Sequence, residues 1–241
     1  MKLLNFKHKI RRTLDFLLTL LFFGNSKLLF SLLRAEGVSS YIENEFLFKC
    51  ACNGYGKGLI VEIGSFKGRS TIALALGSKA KGREKVYAVD PLDDLRIREL
   101  FIKNVKQAEV EDYVIPNYTT SEEAVRNFNS AVRLLFIDGS HKYQDVKKDI
   151  LLWKDYLIDG GIILMHDYLP KDHPFHLPDV NRAVDELIIN SDDFIVEGCI
   201  DSILFASKKK SENKKIFRLY NKFHKIRKYL KSLVDTSWLR C

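Results

Sequence analysis

The chain has 241 residues, enough for one substantial hydrophobic core. Its four cysteines are few and irregular, which excludes a disulfide framework, and Cys50-Ala51-Cys52 lacks the second pair that a zinc ribbon needs. The net charge of +8 resides in the ends: residues 208–241 hold twelve Lys/Arg against Glu212 and Asp235, residues 1–34 hold seven against Asp15, and residues 35–207 are left at −8. An acidic body with basic ends argues against a nucleic-acid groove in the body and for arms that touch an anionic surface.

Residues 1–35 form a basic, apolar arm in which Leu3, Phe6, Ile10, Leu14, Leu17 and Leu21 make a helical stripe. Gly24-Asn25-Ser26-Lys27 interrupts it well short of the ~20 residues that span a bilayer. The charged start is followed by no small-x-small cleavage site. Packing beside the fold, which we favour, and an interfacial membrane helix both remain open. A short helix is expected from Ser39 to about Cys52, before the turn-rich Asn53 to Gly58.

Leu59-Ile60-Val61 then leads through Glu62-Ile63-Gly64-Ser65-Phe66-Lys67-Gly68-Arg69-Ser70 into Thr71-Ile72-Ala73-Leu74-Ala75-Leu76, a strand, a tight turn and a helix. Gly64 allows a turn that a Cβ forbids and a close approach of ligand to backbone. Gly68 is expected to leave free N–H groups and the positive helix end facing the crevice. A dinucleotide fingerprint needs a second glycine where this chain has Phe66, so the looser turn suits a nucleoside without a pyrophosphate. Val86 to Val89 reads as the second strand, and Asp90 at its end is placed to accept both hydroxyls of a ribose.

Leu95 to Gln107 looks helical. Val114 to Tyr118 is a short third strand, where Pro116 requires a place near the sheet edge. Thr119-Thr120-Ser121-Glu122-Glu123 is a capped helix start. Leu134 to Ile137 is an apolar run delivering Asp138, followed by Gly139-Ser140-His141. The next helix places Val146, Ile150, Trp153 and Leu157 on one face and is stopped by Asp159-Gly160-Gly161. Ile162 to Met165 is strand five, ending in His166-Asp167-Tyr168. The loop from Leu169 to Pro178 is expected to be a lid or substrate wall. Val180 to Asn190 is a helix, and Phe194–Ile200 with Ser202–Ala206 are antiparallel strands. The tail, 208–241, sets Ile216, Leu219, Phe223, Ile226, Leu230 and Leu233 along an apolar seam that could pack on the other arm, form a homodimer or lie on anionic lipid.

The pattern Glu62-x-Gly64-x-x-x-Gly68-x-Ser70, followed by Asp90, resembles the class I S-adenosylmethionine (SAM) dependent methyltransferases. Its closest resemblance is to the small O-methyltransferases around catechol O-methyltransferase and to the bacterial sugar and macrolide O-methyltransferases. The resemblance covers roughly residues 55–207 and implies an α/β fold, a Rossmann-like seven-stranded, mostly parallel sheet with helices on both faces, flanked here by helical extensions. It places a methyltransferase domain at 36–207 and implies SAM contacts from Glu62, Gly64, Ser65, Gly68, Ser70, Asp90 and Asp138. Ser121 and Glu122 fall at the turn near the adenine, although helix capping explains them equally well.

Methyl transfer from a sulfonium is an in-line displacement that needs a deprotonated acceptor oxygen held behind the methyl carbon. A divalent metal or an imidazole can meet that need. Asp138 and Asp167 stand where the resembled enzymes hold their metal. The third ligand departs from both known patterns: Tyr168 replaces an Asn of the catechol type, and His166 replaces an acid of some bacterial relatives. Asp138, Asp167 and His166 would favour a transition metal over Mg²⁺. The alternative for the two acids is capping or hydrogen bonding to SAM without metal. His141 is the first choice for general base, and the Asp-Gly-x-His pattern recurs in the bacterial relatives. His173 and His176 are read as loop residues.

The expected activity is O-methylation of a small hydroxylated acceptor, a sugar or glycoconjugate by resemblance, in the cytoplasm or at the inner face of its membrane. One alternative is a nucleic-acid methyltransferase, opposed by Ile137-Asp138-Gly139-Ser140 in place of an Asn/Asp-Pro-Pro-aromatic turn. The other is a non-catalytic SAM-fold protein docked on a membrane or partner.

Overall fold

The computed structural model describes residues 26–37 and 39–208. The apolar stripe before Ser26 and the seam from Ile216 to Leu233 lie outside the described residues. In chain order the elements are α1 (Ser26–Arg34), α2 (Tyr41–Asn53), β1 (Leu59–Ile63), α3 (Arg69–Lys79), β2 (Val86–Val89), α4 (Leu95–Gln107), β3 (Val114–Asn117) and α5 (Ser121–Arg126). There follow β4 (Val132–Ile137), α6 (Tyr143–Trp153), β5 (Leu157–Met165), α7 (Pro178–Val184), β6 (Phe194–Ile200) and β7 (Ile203–Lys208).

The strands form one seven-stranded sheet in the order β3-β2-β1-β4-β5-β7-β6, parallel except for β7, which is antiparallel to both β5 and β6. β3 is an edge strand, so the missing N–H of Pro116 removes no interior ladder bond. Period-two alternation splits the central strands between two cores. Ile60, Leu134, Phe136 and Leu164 pack with α1, α2, α3 and α4 on one face. Val61, Leu135, Ile137 and Ile163 pack with α6 and α7 on the other, where Trp153 is fully buried. Burial on both faces explains why the strands read as unbroken apolar runs.

Two helix starts follow from their capping boxes: Ser40 with Glu43 opens α2, and Thr120 with Glu123 opens α5. One boundary is corrected. Helix α6 ends at Trp153, and β5 already begins at Leu157, so Asp159-Gly160-Gly161 lies inside the strand and Leu157 does not belong to the helix. The β4–β5 register jumps from Val132↔Leu157 to Leu134↔Ile162, and Gly160, with φ of 73°, takes up the bulge. Glycines that looked like a helix stop are a kink in a strand.

Candidate active site

The carboxyl ends of the central parallel strands open onto one cavity of about 670 Å³. Its floor is the turn after β1. Gly64 has φ of 89°, and a Cβ there would lie 2.1 Å from the backbone oxygen of Asp138, so only glycine lets the β1 and β4 ends come this close. The Asp138 N–H donates to Ile63 O at 2.8 Å. Ser65 lies in the wall with its hydroxyl buried and directed to the Glu62 carboxyl behind it.

Asp90 closes β2 and faces the cavity. Its Oδ2 accepts the Phe66 N–H at 2.8 Å and its Oδ1 accepts the Leu92 N–H at 3.1 Å. Each oxygen keeps a second lone pair for hydroxyl donors. Ser70, at the start of α3, also lines the cavity.

Glu62 and Gly68 take a different place from the one expected, behind the wall rather than in it. Glu62 is fully buried and accepts a hydrogen bond from Thr71 Oγ1. Burial pushes its carboxyl up to about 7, against the pull of the Ser70, Thr71 and Ser65 hydroxyls. The Gly68 N–H is not free: it donates to Ser65 O at 2.8 Å. Gly68 serves its φ of 83° and its packing against Phe101, where a Cβ would come within 3.0 Å of the ring. The turn is thus held from below by a carboxyl and hydroxyls.

Beyond Asp90 the wall continues through Thr120, Ser121 and Glu122. Capping belongs to Thr120 and Glu123, which frees Ser121 from that role. Ser121 Oγ accepts the Trp153 Nε1–H at 2.8 Å, and its hydroxyl is hydrogen-bonded to Asp149. Asp149 on α6 was not singled out from the sequence, because one acid in a helix with Asp145, Lys147 and Lys148 carries no signal of burial.

At the other end Asp138, His141 and Asp167 bring one ligand atom each to within 4.8 Å of one another. His141 Nε2 is 2.9 Å from Asp167 Oδ2, and its side chain is 54% exposed, which leaves it open to the cavity. His166, expected as the third ligand, sits deeper. Its Nδ1 lies 2.9 Å from Asp138 Oδ1 and 3.2 Å from Asp167 Oδ2, while Nε2 lies 3.5 Å from Oε1 of the buried Glu43. Burial opposes a charged imidazole, but Asp138, Asp167 and Glu43 raise the His166 pKa well above its ordinary value. Burial likewise opposes ionisation of Glu43, yet His166, Ser202 and the Ser40 N–H lower it to about 2. Asp138 is raised, by burial first and by Asp167 and Glu43 in addition, against the pull of His166. Asp167 is lowered because His166 and His141 outweigh its burial. Tyr168 turns away and donates to Asp185 Oδ1 at 2.9 Å.

The proline-rich loop does not line this cavity; its His176 Nδ1 lies 3.1 Å from Leu169 O. The outer wall is instead Glu36, Gly37 and Ser39. Arg69 holds that segment from beneath: it donates to the backbone oxygens of Leu32, Ala35 (2.7 Å) and Ser39 (3.2 Å) and lies 4.9 Å from the Tyr41 ring. Lys67 pairs with Glu36 at 2.7 Å above it.

A family model described as a methyltransferase domain matches residues 61–168, from β1 to the turn carrying Asp167. That segment of the chain is similar to a methyltransferase domain. The solved structure of cofactor-bound Rv0187 from MTB superposes with a TM-score of 0.64 at 18% identity, covering 82% of this chain and 97% of that one. An O-methyltransferase from Bacillus cereus in complex with SAH gives 0.62 at 16% identity over 81% and 97%. CalS11, a TDP-rhamnose 3′-O-methyltransferase of calicheamicin biosynthesis, gives 0.52 at 14% identity over 70% and 78%. At these identities the likeness establishes the fold. An uncharacterized protein of Acanthamoeba polyphaga mimivirus, R132, is 29% identical over 143 residues, or 53% of this chain, and the match spans 59% of that relative's length.

Proposed function

We propose that this protein is a SAM-dependent O-methyltransferase acting on a hydroxyl of a small polar acceptor, a sugar or glycoconjugate. The observation that carries the reading is one cavity with Asp90 towards one end and the Asp138–His141–Asp167 cluster towards the other. That separation suits a nucleoside at β2 whose sulfonium reaches towards β4. The residues present fit the cofactor: beside a glycine turn that a Cβ would fill, an acid is held by two backbone N–H groups and keeps lone pairs for ribose hydroxyls. When bound there, SAM supplies the activated methyl group.

The chain's own residues then orient the acceptor and take its proton. His141 Nε2, held by Asp167, is the group open to the cavity and the base for the acceptor hydroxyl. Asp138 and Asp167 fix His166 between them, which keeps both carboxylates in place. Asp138, His141 and Asp167 also fit a divalent cation, and a set of one imidazole and two carboxylates favours a transition metal over Mg²⁺. Such an ion would lower the pKa of the acceptor hydroxyl.

Glu36, Gly37, Ser39 and Lys67 line the cavity, and among the described residues Phe66 is the one benzenoid ring in its wall. A wall of hydroxyl, carboxylate and ammonium groups suits a polyhydroxylated acceptor better than a flat aromatic one. The test is transfer of label from tritiated SAM to a panel of nucleotide sugars, free sugars and catechols, with and without chelator and added Mn²⁺ or Mg²⁺. Label on a sugar hydroxyl supports the reading. Label on catechol alone would replace the acceptor class, and none on any acceptor despite bound SAM would favour a non-catalytic role.

A further inference from the structure

Glu43 closes the capping box of α2, but a carboxylate is seldom as buried as this one, at 4% exposure, for the sake of a cap alone. Its two oxygens have different partners. Oε2 accepts the Ser40 N–H at 2.7 Å, which is the cap. Oε1 accepts the Ser202 N–H at 3.2 Å and the Ser202 hydroxyl at 2.5 Å, and it lies 3.5 Å from His166 Nε2. Ser202 lies in the turn between β6 and β7, and its carbonyl oxygen accepts the Tyr168 N–H at 3.0 Å. Glu43 is thus anchored twice, to its own helix and to the hairpin that holds the segment after His166.

Strand geometry explains why His166 reaches it. His166 follows β5 and continues the alternation of Ile162 and Leu164, which face the side of the sheet covered by α2. The next side chain of an extended strand would point to the opposite face. Asp167 instead has φ of 60°, and this left-handed turn brings its Oδ2 back to 3.2 Å from His166 Nδ1. Asp138, after β4, meets the same nitrogen at 2.9 Å. One ring therefore stands between two carboxylates that line the cavity and a third, Glu43, that does not. Asp167 Oδ2 also lies 2.9 Å from His141 Nε2, so a turn of the His166 ring would be felt at the proposed base.

We propose that Glu43 is a positioning residue: it holds His166 from behind, His166 fixes the carboxylates of Asp138 and Asp167, and Asp167 aims His141 at the acceptor. The proposal rests on the O-methyltransferase reading and deepens it. A buried ion pair is seldom needed for stability, since apolar side chains of the same volume serve as well. What it supplies here is direction. At 3.5 Å the hold on His166 is one of charge rather than of a tight hydrogen bond, so a change that removes the charge and keeps the shape is the informative one.

The test is a double-mutant cycle in the full chain, with Glu43→Gln, His166→Asn and both together. It is read by kcat with the sugar that takes label in the panel above and by calorimetric titration of S-adenosylhomocysteine (SAH). Glu43→Gln is expected to lower kcat by about ten- to a hundredfold, the scale on which losing an outer partner costs activity, with SAH affinity within about threefold. In the His166→Asn background the same change is expected to cost less than about twofold, because Glu43 acts through that ring. Equal costs in the two backgrounds, or a parallel fall of kcat and SAH affinity, would mark a merely structural role and overturn the proposal. If Glu43→Gln does not fold, Glu43→Asp decides, since it keeps the charge and draws back from His166: reduced kcat at unchanged SAH affinity supports the proposal, and unchanged kcat overturns it. Absence of transfer by wild type would instead remove the reading beneath. Crystals of SAH-bound wild type and Glu43→Gln then decide the positioning: the His141–Asp167 contact opens beyond hydrogen-bond reach if the proposal holds and stays closed if it does not.

Discussion

The two ends of the cavity are built on opposite principles. The end we propose for the nucleoside is made by turns that directly follow strands, with backbone N–H groups, hydroxyls and Asp90 as its polar groups. The end we propose for the reaction packs Glu43, Asp138, Asp167, His141 and His166 against one another, from α2, the ends of β4 and β5, and the turn after β4. Desolvating that many charges is costly and is tolerated because each carboxylate has an imidazole within reach. Binding a nucleoside needs shape and a few acceptors, whereas moving a proton needs charges held where water does not screen them.

The comparison is broken or sharpened most strongly at Asp167. Asp167→Ala should cut methyl transfer by about a thousandfold, the scale of losing an oriented base, while SAH affinity stays within a few-fold. A parallel loss of affinity and turnover would mean that the two ends are not separable.

The next effect concerns the support beneath the nucleoside end. The Glu62 carboxyl is raised to about 7 in the fold against an ordinary value of 4.5. Its contribution is therefore fully present below pH 4.5 and is lost as pH rises through 7, by up to about 3 kcal/mol. Glu62→Gln should flatten urea stability between pH 5 and 8 relative to wild type. Identical pH profiles would show that Glu62 is not the buried acid described. The smallest effect is the cap on α5: Thr120→Ala should cost about 1 kcal/mol in the same urea assay.

How much of this was legible follows the same division. The strands, the glycine turn and Asp90 are local patterns, and Pro116 announced its edge position correctly. His166 was given a ligand role by its adjacency to Asp167, but its ring lies between the two aspartates and Glu43, a contact across α2 that no local spacing records. Ser202 donates to the same Glu43 from 159 residues away. The outer wall of Glu36, Gly37 and Ser39 was hidden for the same reason, since the donor that holds the segment is Arg69. Asp159-Gly160-Gly161 was misplaced because glycine marks a helix end and a strand bulge with the same letters.

The central claim is that Asp90 belongs to a SAM site. Its most direct test is calorimetric titration of SAH into wild type and Asp90→Ala. Micromolar binding by wild type, weakened about tenfold or more in the variant, is the predicted result, because two hydroxyls lose a charged acceptor. Equal affinity of the two proteins, or no binding by folded wild type, would contradict it.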